Sequence, residues 1–287
     1  MTGVQGRDLF SALPIEKERN YGKERQEKRA RPAVDHFRHL SAGFPRRGCA
    51  DGKKGAYRPA GGKTMQELQT RTGTTVVENR TPAQGESGRD ITVSTEKQNR
   101  SPVDFAALRQ ENEEICAWLF ADGTKINYPV LHTSDNEYYL THLYDRQQSD
   151  YGSLFVDYRN RSDFGDRNTV IYGHHMRNGS MFGMLEEYKA QEFYDAIPSM
   201  TLYTPGGTYQ IDLVCGTEED GNEEFVRFAF DSDEDFMDYI YGFQQRSTFQ
   251  SNVSVSPRDR IVSLCTCSYD RENARYLLIG RLTKLEG

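Results

Sequence analysis

Three kinds of side chain that together could carry out acyl transfer stand at the ends of apolar runs. His174 and His175 directly follow one run, Cys265 and Cys267 close another, and Arg275 opens a third. A thiolate can attack a carbonyl, an imidazolium can protonate the leaving amine, and a guanidinium can stabilise the oxyanion. Strand ends that open into loops commonly present catalytic side chains, so this pattern suggests thiol chemistry.

Other interpretations of the same residues remain open on spacing alone. Buried cysteines commonly act as small hydrophobic residues, and a histidine at a strand end is more often structural than catalytic. Cys265 and Cys267, at i and i+2 of a strand, would face the same side. With His174 and His175 they could form a tetrahedral zinc site, but adjacent residues point apart on a strand, which disfavours it.

The elements that must position these residues are short apolar runs separated by turns. Eight runs have the composition and length of strands. They are Tyr128–His132, Ser153–Tyr158, Thr169–Tyr172, Met200–Tyr203, Thr208–Cys215, Phe225–Phe230, Arg260–Thr266 and Arg275–Leu282. Many short strands with few helices predict a closed barrel or a sandwich, not alternating strands and helices.

Three segments have helical spacing. Ser101 followed by Pro102 is a typical helix start, and the apolar positions after it predict a helix over about 102–119. Further helical patches are predicted at 181–190 and about 232–247. The acidic run 231–235 lacks the glycine and glutamate of a calcium loop, so its carboxylates are interpreted as favouring a helix start.

The composition divides the 287 residues into two parts. Hydrophobic residues make up only 36%, yet 17 Tyr and 15 Phe are more aromatic residues than a disordered chain would have. Residues 1–100 carry 20 Lys and Arg against 12 Asp and Glu, whereas the remainder carries 16 against 31. We therefore expect a basic, largely disordered leader over 1–100 and a folded acidic domain over 101–287.

The leader gives no specific functional signal. A basic arm could bind nucleic acid or an anionic membrane surface, but acidic residues are interleaved and no base-reading motif is present, so a solvated leader is the preferred interpretation. No apolar run reaches the length of a membrane span, and the first 30 residues lack the apolar core of a secretory signal. Five widely spaced cysteines argue against a disulfide scaffold.

From about residue 103 to 285 the chain resembles the class B sortases, the membrane-tethered cysteine transpeptidases of Gram-positive bacteria. The resemblance rests on several separate motifs in the right order. They are Tyr128-Pro129-Val130, Asp135 to Leu140 (DNEYYL), Gly152 to Asn160 (GSLFVDYRN), Asn168 to Met176 (NTVIYGHHM), Ser180-Met181-Phe182, and Ser263 to Cys267 (SLCTC) with the following Arg275. It covers none of residues 1–100.

The resemblance implies a fold, a reaction and roles for three residues. It implies a closed β-barrel of about eight strands, with an N-terminal helix and a helix in the long loop before the last two strands. Cys267 matches the nucleophile, His174 the acid and base, and Arg275 the residue that holds substrate and oxyanion. Sortases cut an LPxTG- or NPxTN-type sorting motif after Thr, hold the acyl group as a thioester and pass it to an amine. No cofactor or metal is expected.

The resemblance also implies partners and a substrate groove. The expected partners are surface proteins that bear a sorting signal and an amine of a peptidoglycan precursor, at the extracytoplasmic face of the membrane. No nucleic acid is expected. The residues that match groove or site positions are Asn136, Leu140, Phe225, Val226, Cys265 and Thr266. Core packing is an equally open interpretation for Leu140 and Val226.

Three departures from the family pattern stand out. Ser263 replaces a threonine, Cys265 fills a position where a serine is common, and no N-terminal anchor is visible. The acidic patch Glu218–Asp220 with Glu223 and Glu224 is interpreted as a solvated loop, although it could attract an amine. Three alternatives to the transpeptidase remain: a thiol hydrolase of the same motif, a zinc-binding module, and an inactive protein that keeps the groove.

Overall fold

The computed structural model describes residues 102–267 and 273–285, and for Cys267 the backbone alone. Within these residues, eight strands and three α-helices form, with 3₁₀ turns at Tyr138–Leu140 and Leu185–Lys189. The helices are α1 (Phe105–Glu111), α2 (Gln191–Ala196) and α3 (Asp233–Gln244). The strands are β1 (Ile115–Phe120), β2 (Asn127–Leu131), β3 (Leu154–Val156), β4 (Asn168–Tyr172), β5 (Ser199–Thr204), β6 (Gly207–Asp220), β7 (Arg260–Cys267) and β8 (Ala274–Lys284). The predicted leader over 1–100 and its boundary with the folded domain lie outside the described residues and stay a prediction.

The strands close into a barrel in the order β1-β2-β3-β4-β7-β8-β6-β5. Two neighbouring pairs, β2 with β3 and β4 with β7, run parallel, and the other pairs run antiparallel. Closure leaves no unpaired strand edge, which confirms the barrel rather than the sandwich. β4 ends opposite Cys265, two residues before β7 ends, so the segments that follow the two strands begin at the same end of the barrel.

Alternation along the strands divides the apolar residues into two clusters. All eight strands contribute to one cluster, which therefore fills the barrel; Leu264 and Tyr276 belong to it. The other cluster, which includes Cys265 and Leu277, joins the outer face of the strands to α1, α3 and the segment before α3. Cys265, one of the two cysteines considered for thiol chemistry, thus belongs to the outer cluster, together with residues of α1, α3 and the segment before α3.

The predicted helix over 102–119 is wrong in its second half. Asp104 caps α1 by accepting a hydrogen bond from the backbone N–H of Ala107, and the helix ends at Glu111. Asn112 then adopts an extended conformation, and its side-chain amide donates to the hydroxyl of Tyr139. The apolar positions 115–120 form β1 in the barrel wall, because tertiary burial outweighs their approximately helical spacing.

The predicted strand Phe225–Phe230 is also wrong, since this segment forms no ladder. Its aromatic residues pack on the outer cluster instead, and Phe230 makes edge-to-face contacts with Phe236 and Tyr239 of α3. Strand count is preserved because β1 replaces this segment. The other seven predicted strands are present, with bounds that shift by a few residues.

Of the two later helical predictions, the one at about 232–247 is confirmed and the one at 181–190 is wrong for an α-helix. α3 lies within the predicted range, begins with three carboxylates and buries Phe236, Ile240 and Phe243. The patch at 181–190 contains only the 3₁₀ turn, and the α-helix α2 begins after it, at Gln191. Across the described residues, no helix is both long and apolar enough to cross a membrane.

The start of α3 gives a direct test of the capping interpretation. The hydroxyl of Ser232 accepts the backbone N–H of Asp235 at 3.0 Å. We expect Ser232→Ala to lower the free energy of unfolding by about 1 kcal/mol, because one donor of the first turn loses its acceptor. Urea titration followed by circular dichroism measures the change. Ser232→Thr keeps a hydroxyl and should lose less than half as much; an equal loss would show that the cap is not the cause.

Candidate active site

The segment that carries His174 continues the pairing of β4 with β7 past the end of the strand. Tyr172 pairs with Cys265, and the next backbone N–H, of Gly173, donates to the carbonyl of Cys265 at 3.2 Å. The imidazole Nε2 of His174 lies 2.6 Å from the carbonyl oxygen of Leu140. Because a carbonyl oxygen only accepts, this nitrogen carries the proton in that contact. The loop before β3 therefore fixes the ring.

Two glycines make room for this arrangement. Gly152 has a φ of +58°, and a Cβ there would lie 2.5 Å from the carbonyl oxygen of Tyr139 and 2.8 Å from that of Leu140. A Cβ at Gly173 would lie 2.4 Å from a methyl carbon of Leu154. At Gly152 a side chain would displace the backbone carbonyls beside His174, and at Gly173 it would force the side chains of Leu154 and Phe182 to move.

The imidazoles of His174 and His175 contact different parts of the structure. His175 is buried, and its Nδ1 lies 3.4 Å from a carboxylate oxygen of Glu186, which also pairs with Lys189 at 3.1 Å. His174 instead contacts the carbonyl of Leu140. The divergence of the two rings disfavours a zinc site shared by both.

Arg275 lies at the start of β8, in a row that crosses three strands. The register pairs it with Cys267 of β7 on one side and with Glu219 of β6 on the other. Its guanidinium is mostly buried and donates through Nη1 to the carbonyls of Asn273 at 3.2 Å and Ala274 at 3.0 Å. Directly opposite residues of an antiparallel pair have Cβ atoms about 5 Å apart. The register therefore places a permanently charged residue directly opposite position 267 in the ladder.

The thiol of Cys265 has the properties of a structural residue. It is buried, and burial raises its pKa to about 12, although the nearby guanidinium of Arg275 lowers it and the carboxylate of Glu219 raises it further. A thiol with such a pKa is almost wholly protonated at neutral pH and is a poor nucleophile. Cys265 thus fits a packing role beside the site.

The acidic patch Glu218–Asp220 belongs to β6, so its interpretation as a loop is wrong, whereas Glu223 and Glu224 are exposed in the irregular segment after β6, as predicted. Glu219 is mostly buried, and its Oε1 accepts from Nη2 of Arg246 at 3.0 Å. Glu218 pairs with Lys189 at 2.6 Å. These carboxylates form ion pairs within the fold, and Glu219 places negative charge next to Arg275.

Asn136 and Leu140, the two predicted groove residues that precede β3 in the chain, are buried, and both take part in hydrogen bonds. The amide of Asn136 donates to Asp157 Oδ2 at 3.0 Å and accepts the backbone N–H of Tyr158 at 3.0 Å. The side chain of Leu140 packs in the outer cluster, as the core interpretation holds, while its carbonyl contacts His174. Both residues lie on the loop that orients the imidazole.

The remaining predicted groove residues lie on two different elements, the irregular segment before α3 and β7. Val226 is buried and Phe225 is half-buried, and both pack on the outer cluster, in the irregular segment before α3. Thr266 is buried between Cys265 and Cys267, and its hydroxyl forms no hydrogen bond with the described residues. The substrate-binding roles of these residues stay predictions.

Two residues that shape the site, Gly152 and Asp157, were not singled out by sequence reasoning, and a third, Glu219, was noted only as part of the acidic patch. Gly152 and Asp157 stand in the GSLFVDYRN motif, where a glycine before an apolar run and a lone carboxylate after it were the available signals. Glu219 continues the strand alternation from Cys215, which could have placed it in β6. Only the register shows that it lies beside Arg275.

Comparisons with known proteins agree with this geometry. The family model described as the Sortase domain matches residues 119–283. Sortase B of Listeria monocytogenes is 37% identical over 177 residues, which cover 61% of this chain and 72% of that protein. Sortase B of Staphylococcus aureus is 31% identical over 183 residues, which cover 63% of this chain and 75% of that protein.

Solved structures extend the similarity to the fold. A Staphylococcus aureus sortase B–substrate complex superimposes with a TM-score of 0.61 at 30% identity, over 63% of this chain and 85% of that one. Clostridium perfringens sortase B gives a TM-score of 0.60 at 31% identity, over 62% of this chain and 99% of that one. With the family match over more than half of its length, this chain belongs to the sortase family, in class B, the cysteine transpeptidases that act on cell-wall sorting motifs.

Proposed function

We propose that Cys267, His174 and Arg275 carry out the transpeptidation. The observation that supports these roles is that the three positions stand at one level of the barrel. β4 runs parallel to β7 with Tyr172 opposite Cys265, so His174 comes level with Cys267 two residues later. Antiparallel pairing places Arg275 directly opposite Cys267.

The proposed first half-reaction cleaves the substrate peptide. The thiolate of Cys267 attacks the carbonyl carbon of the motif threonine, and the resulting oxyanion is stabilised by the guanidinium of Arg275. The C–N bond then breaks as the imidazolium of His174 gives a proton to the leaving amine. Because Nε2 of His174 holds the carbonyl of Leu140, this proton comes from Nδ1. The product is a thioester on Cys267.

The second half-reaction transfers the acyl group. An acceptor amine attacks the thioester carbonyl, gives a proton to the neutral imidazole of His174 and expels the thiolate of Cys267. The proposed donor is an LPxTG- or NPxTN-type motif of a surface protein, bound between the loop of Asn136 and the segment of Phe225. The proposed acceptor is an amine of a peptidoglycan precursor, at the outer face of the cell membrane.

Cys267→Ala tests the nucleophile. We expect it to abolish cleavage of fluorogenic LPxTG- and NPxTN-type peptides, a loss of at least about 10³-fold, because no thioester can form. Cys265→Ser is the matched control and should keep most of the activity, since this thiol is buried and protonated. Initial rates at fixed peptide concentration measure both. An equal loss in the two variants would mean that the roles are misassigned.

An amine acceptor distinguishes a transpeptidase from a thiol hydrolase of the same motif. With peptide alone, water resolves the thioester and gives a carboxylate product. We expect added triglycine to divert most of this product into a new amide, because an amine is a better nucleophile than water. Mass spectrometry of the products measures the partition. A product mixture that does not respond to the amine concentration would favour the hydrolase.

Gly152→Ala tests whether the loop carbonyl positions the imidazole. The added Cβ would lie 2.8 Å from the carbonyl oxygen that contacts His174 and 3.0 Å from Cδ2 of the imidazole itself, so we expect kcat to fall by about tenfold or more. Gly123→Ala is the matched control: its φ is also positive, at +76°, but its Cβ would meet only a side-chain methyl of Ile197 at 3.4 Å. Gly123→Ala should lose about 1–2 kcal/mol of stability because of its positive φ, and Gly152→Ala should lose more because its Cβ would also clash with two backbone carbonyl oxygens. Equal kcat values in the two variants would contradict the role given to this carbonyl.

A further inference from the structure

The carboxylate of Asp157 is completely buried directly after β3, and it joins separate parts of the barrel end. Oδ2 accepts from the amide Nδ2 of Asn136 at 3.0 Å and from the hydroxyl of Tyr172 at 3.1 Å. The guanidinium of Arg159 donates from Nε to Oδ1 at 2.9 Å and from Nη2 to Oδ2 at 2.8 Å. A buried carboxylate is tolerated only with such a set of donors. The donors compensate the buried charge of Asp157, and the carboxylate in turn holds the side chains of Asn136, Tyr172 and Arg159 in place.

The first arm of this network reaches the loop that holds the imidazole. Asn136 is bound at both ends of its amide, by Asp157 and by the backbone N–H of Tyr158. The 3₁₀ turn Tyr138–Leu140 follows within two residues, and its last carbonyl contacts Nε2 of His174. The position of that carbonyl thus depends on how Asn136 is held.

The second arm reaches the strand that carries the imidazole. Tyr172 is the last residue of β4 and stands two residues before His174. Its hydroxyl is buried and donates to Asp157, and burial together with the adjacent carboxylate raises its pKa well above the usual value, so it remains a donor. Asp157 therefore connects the backbone of His174 with the loop that contacts its ring.

The third arm reaches the irregular segment before α3. The guanidinium carbon of Arg159 lies 4.1 Å from the ring centroid of Phe228, in cation–π contact. Phe228 belongs to the same segment as Phe225 and Val226, which the proposed groove uses. One buried carboxylate thus contacts, directly or through one side chain, both walls of the proposed groove and the strand of the proposed acid.

We propose that Asp157 is a positioning residue that sets the imidazole of His174 against the substrate-binding loop. Asp157 touches no reacting atom; it acts through Tyr172 and Asn136. This inference rests on the proposed role of His174 and adds what holds that residue in its reactive geometry. The carboxylate suits the task because every group around it is a donor, so both of its oxygens must accept.

The test uses Asp157→Asn and Tyr172→Phe in the full chain. An amide at 157 keeps one acceptor oxygen, so its NH2 group would face donors either on the side of Asn136 and Tyr172 or on the side of Arg159 Nε, and one arm of the network would be lost. We expect kcat for the sorting peptide to fall by about 10²-fold in Asp157→Asn, the usual cost of a small misplacement of a catalytic group. Tyr172→Phe removes a single hydrogen bond, and we expect a loss of about three- to tenfold in kcat with little change in KM.

A control variant separates positioning from general stability. Asp212 pairs with Arg281 at 2.9 Å on β6 and β8, in pairs of the barrel wall distant in register from Arg275. Asp212→Asn also removes the charge of an arginine-paired carboxylate, and we expect it to leave kcat within twofold. Thermal melting of all three variants shows whether activity follows stability. A loss of kcat that follows melting temperature equally in all three would overturn the proposal.

A spectroscopic signature reports on the imidazole itself. The contact of Nε2 with the carbonyl of Leu140 holds the proton on that nitrogen, so the ¹⁵N spectrum of His174 in the neutral ring should show one tautomer. In Asp157→Asn we expect averaged tautomers, and an unchanged spectrum would overturn the proposal. If Asp157→Asn does not fold, Tyr172→Phe still decides the question: wild-type kcat in that variant refutes positioning.

The proposed function can fail separately. His174→Ala that keeps wild-type cleavage would refute the role of His174. His174→Ala without activity, together with a fully active Tyr172→Phe, would refute only the role of Asp157.

Discussion

The parallel pairing of β4 with β7 is the constraint on which the active site depends. These strands are about ninety residues apart in sequence, and their register, which ends with Tyr172 opposite Cys265, brings the segment of His174 and the end of β7 to the same end of the barrel. Asn168 pins that register, because its side-chain oxygen accepts the hydroxyl of Ser263 at 2.8 Å and its side-chain amide donates to the carbonyl of Arg227 at 2.8 Å. A shift of one residue would turn every side chain of β7 to the opposite face. The serine that replaces the family's threonine keeps the hydroxyl that this register needs.

Charge at the site is organised by burial as much as by proximity. The guanidinium of Arg275 is mostly shielded from solvent, and it donates hydrogen bonds to the carbonyls of Asn273 and Ala274. Glu219 lies opposite Arg275 in the ladder, and its carboxylate is paired with Arg246. Burial keeps the thiol of Cys265 protonated. A fixed cation opposite position 267 favours the ionised form of a thiol there.

The sequence allowed the barrel, most of its strands and the chemistry of the site to be predicted, because each depends on local pattern or on a distinctive motif. It misassigned β1 and the segment Phe225–Phe230, and the reason is the same in both. Apolar spacing reports that residues are buried, and it does not say whether a ladder partner exists. Ile115–Phe120 pairs with β2 and β5 in the barrel, whereas Phe225–Phe230 packs against α3, where Phe230 contacts Phe236. Contacts between distant segments, such as Glu219 with Arg275 or Asp157 with Tyr172, have no signature within any one stretch of sequence.

The misassigned segment also explains how a rigid barrel can present a peptide groove. A strand at 225–230 would satisfy its backbone groups within a sheet and leave none for a substrate. As an irregular segment it is held through side chains instead, by Phe230 against α3 and by Phe228 against Arg159. Side-chain anchoring fixes the position of the segment and leaves its backbone groups outside any ladder. The proposed groove thus lies between this segment and the loop of Asn136, and the buried carboxylate of Asp157 links the two. Asp157 would then position both the peptide groove and the imidazole of His174. A peptide that binds poorly in the groove would therefore also meet a poorly placed imidazole.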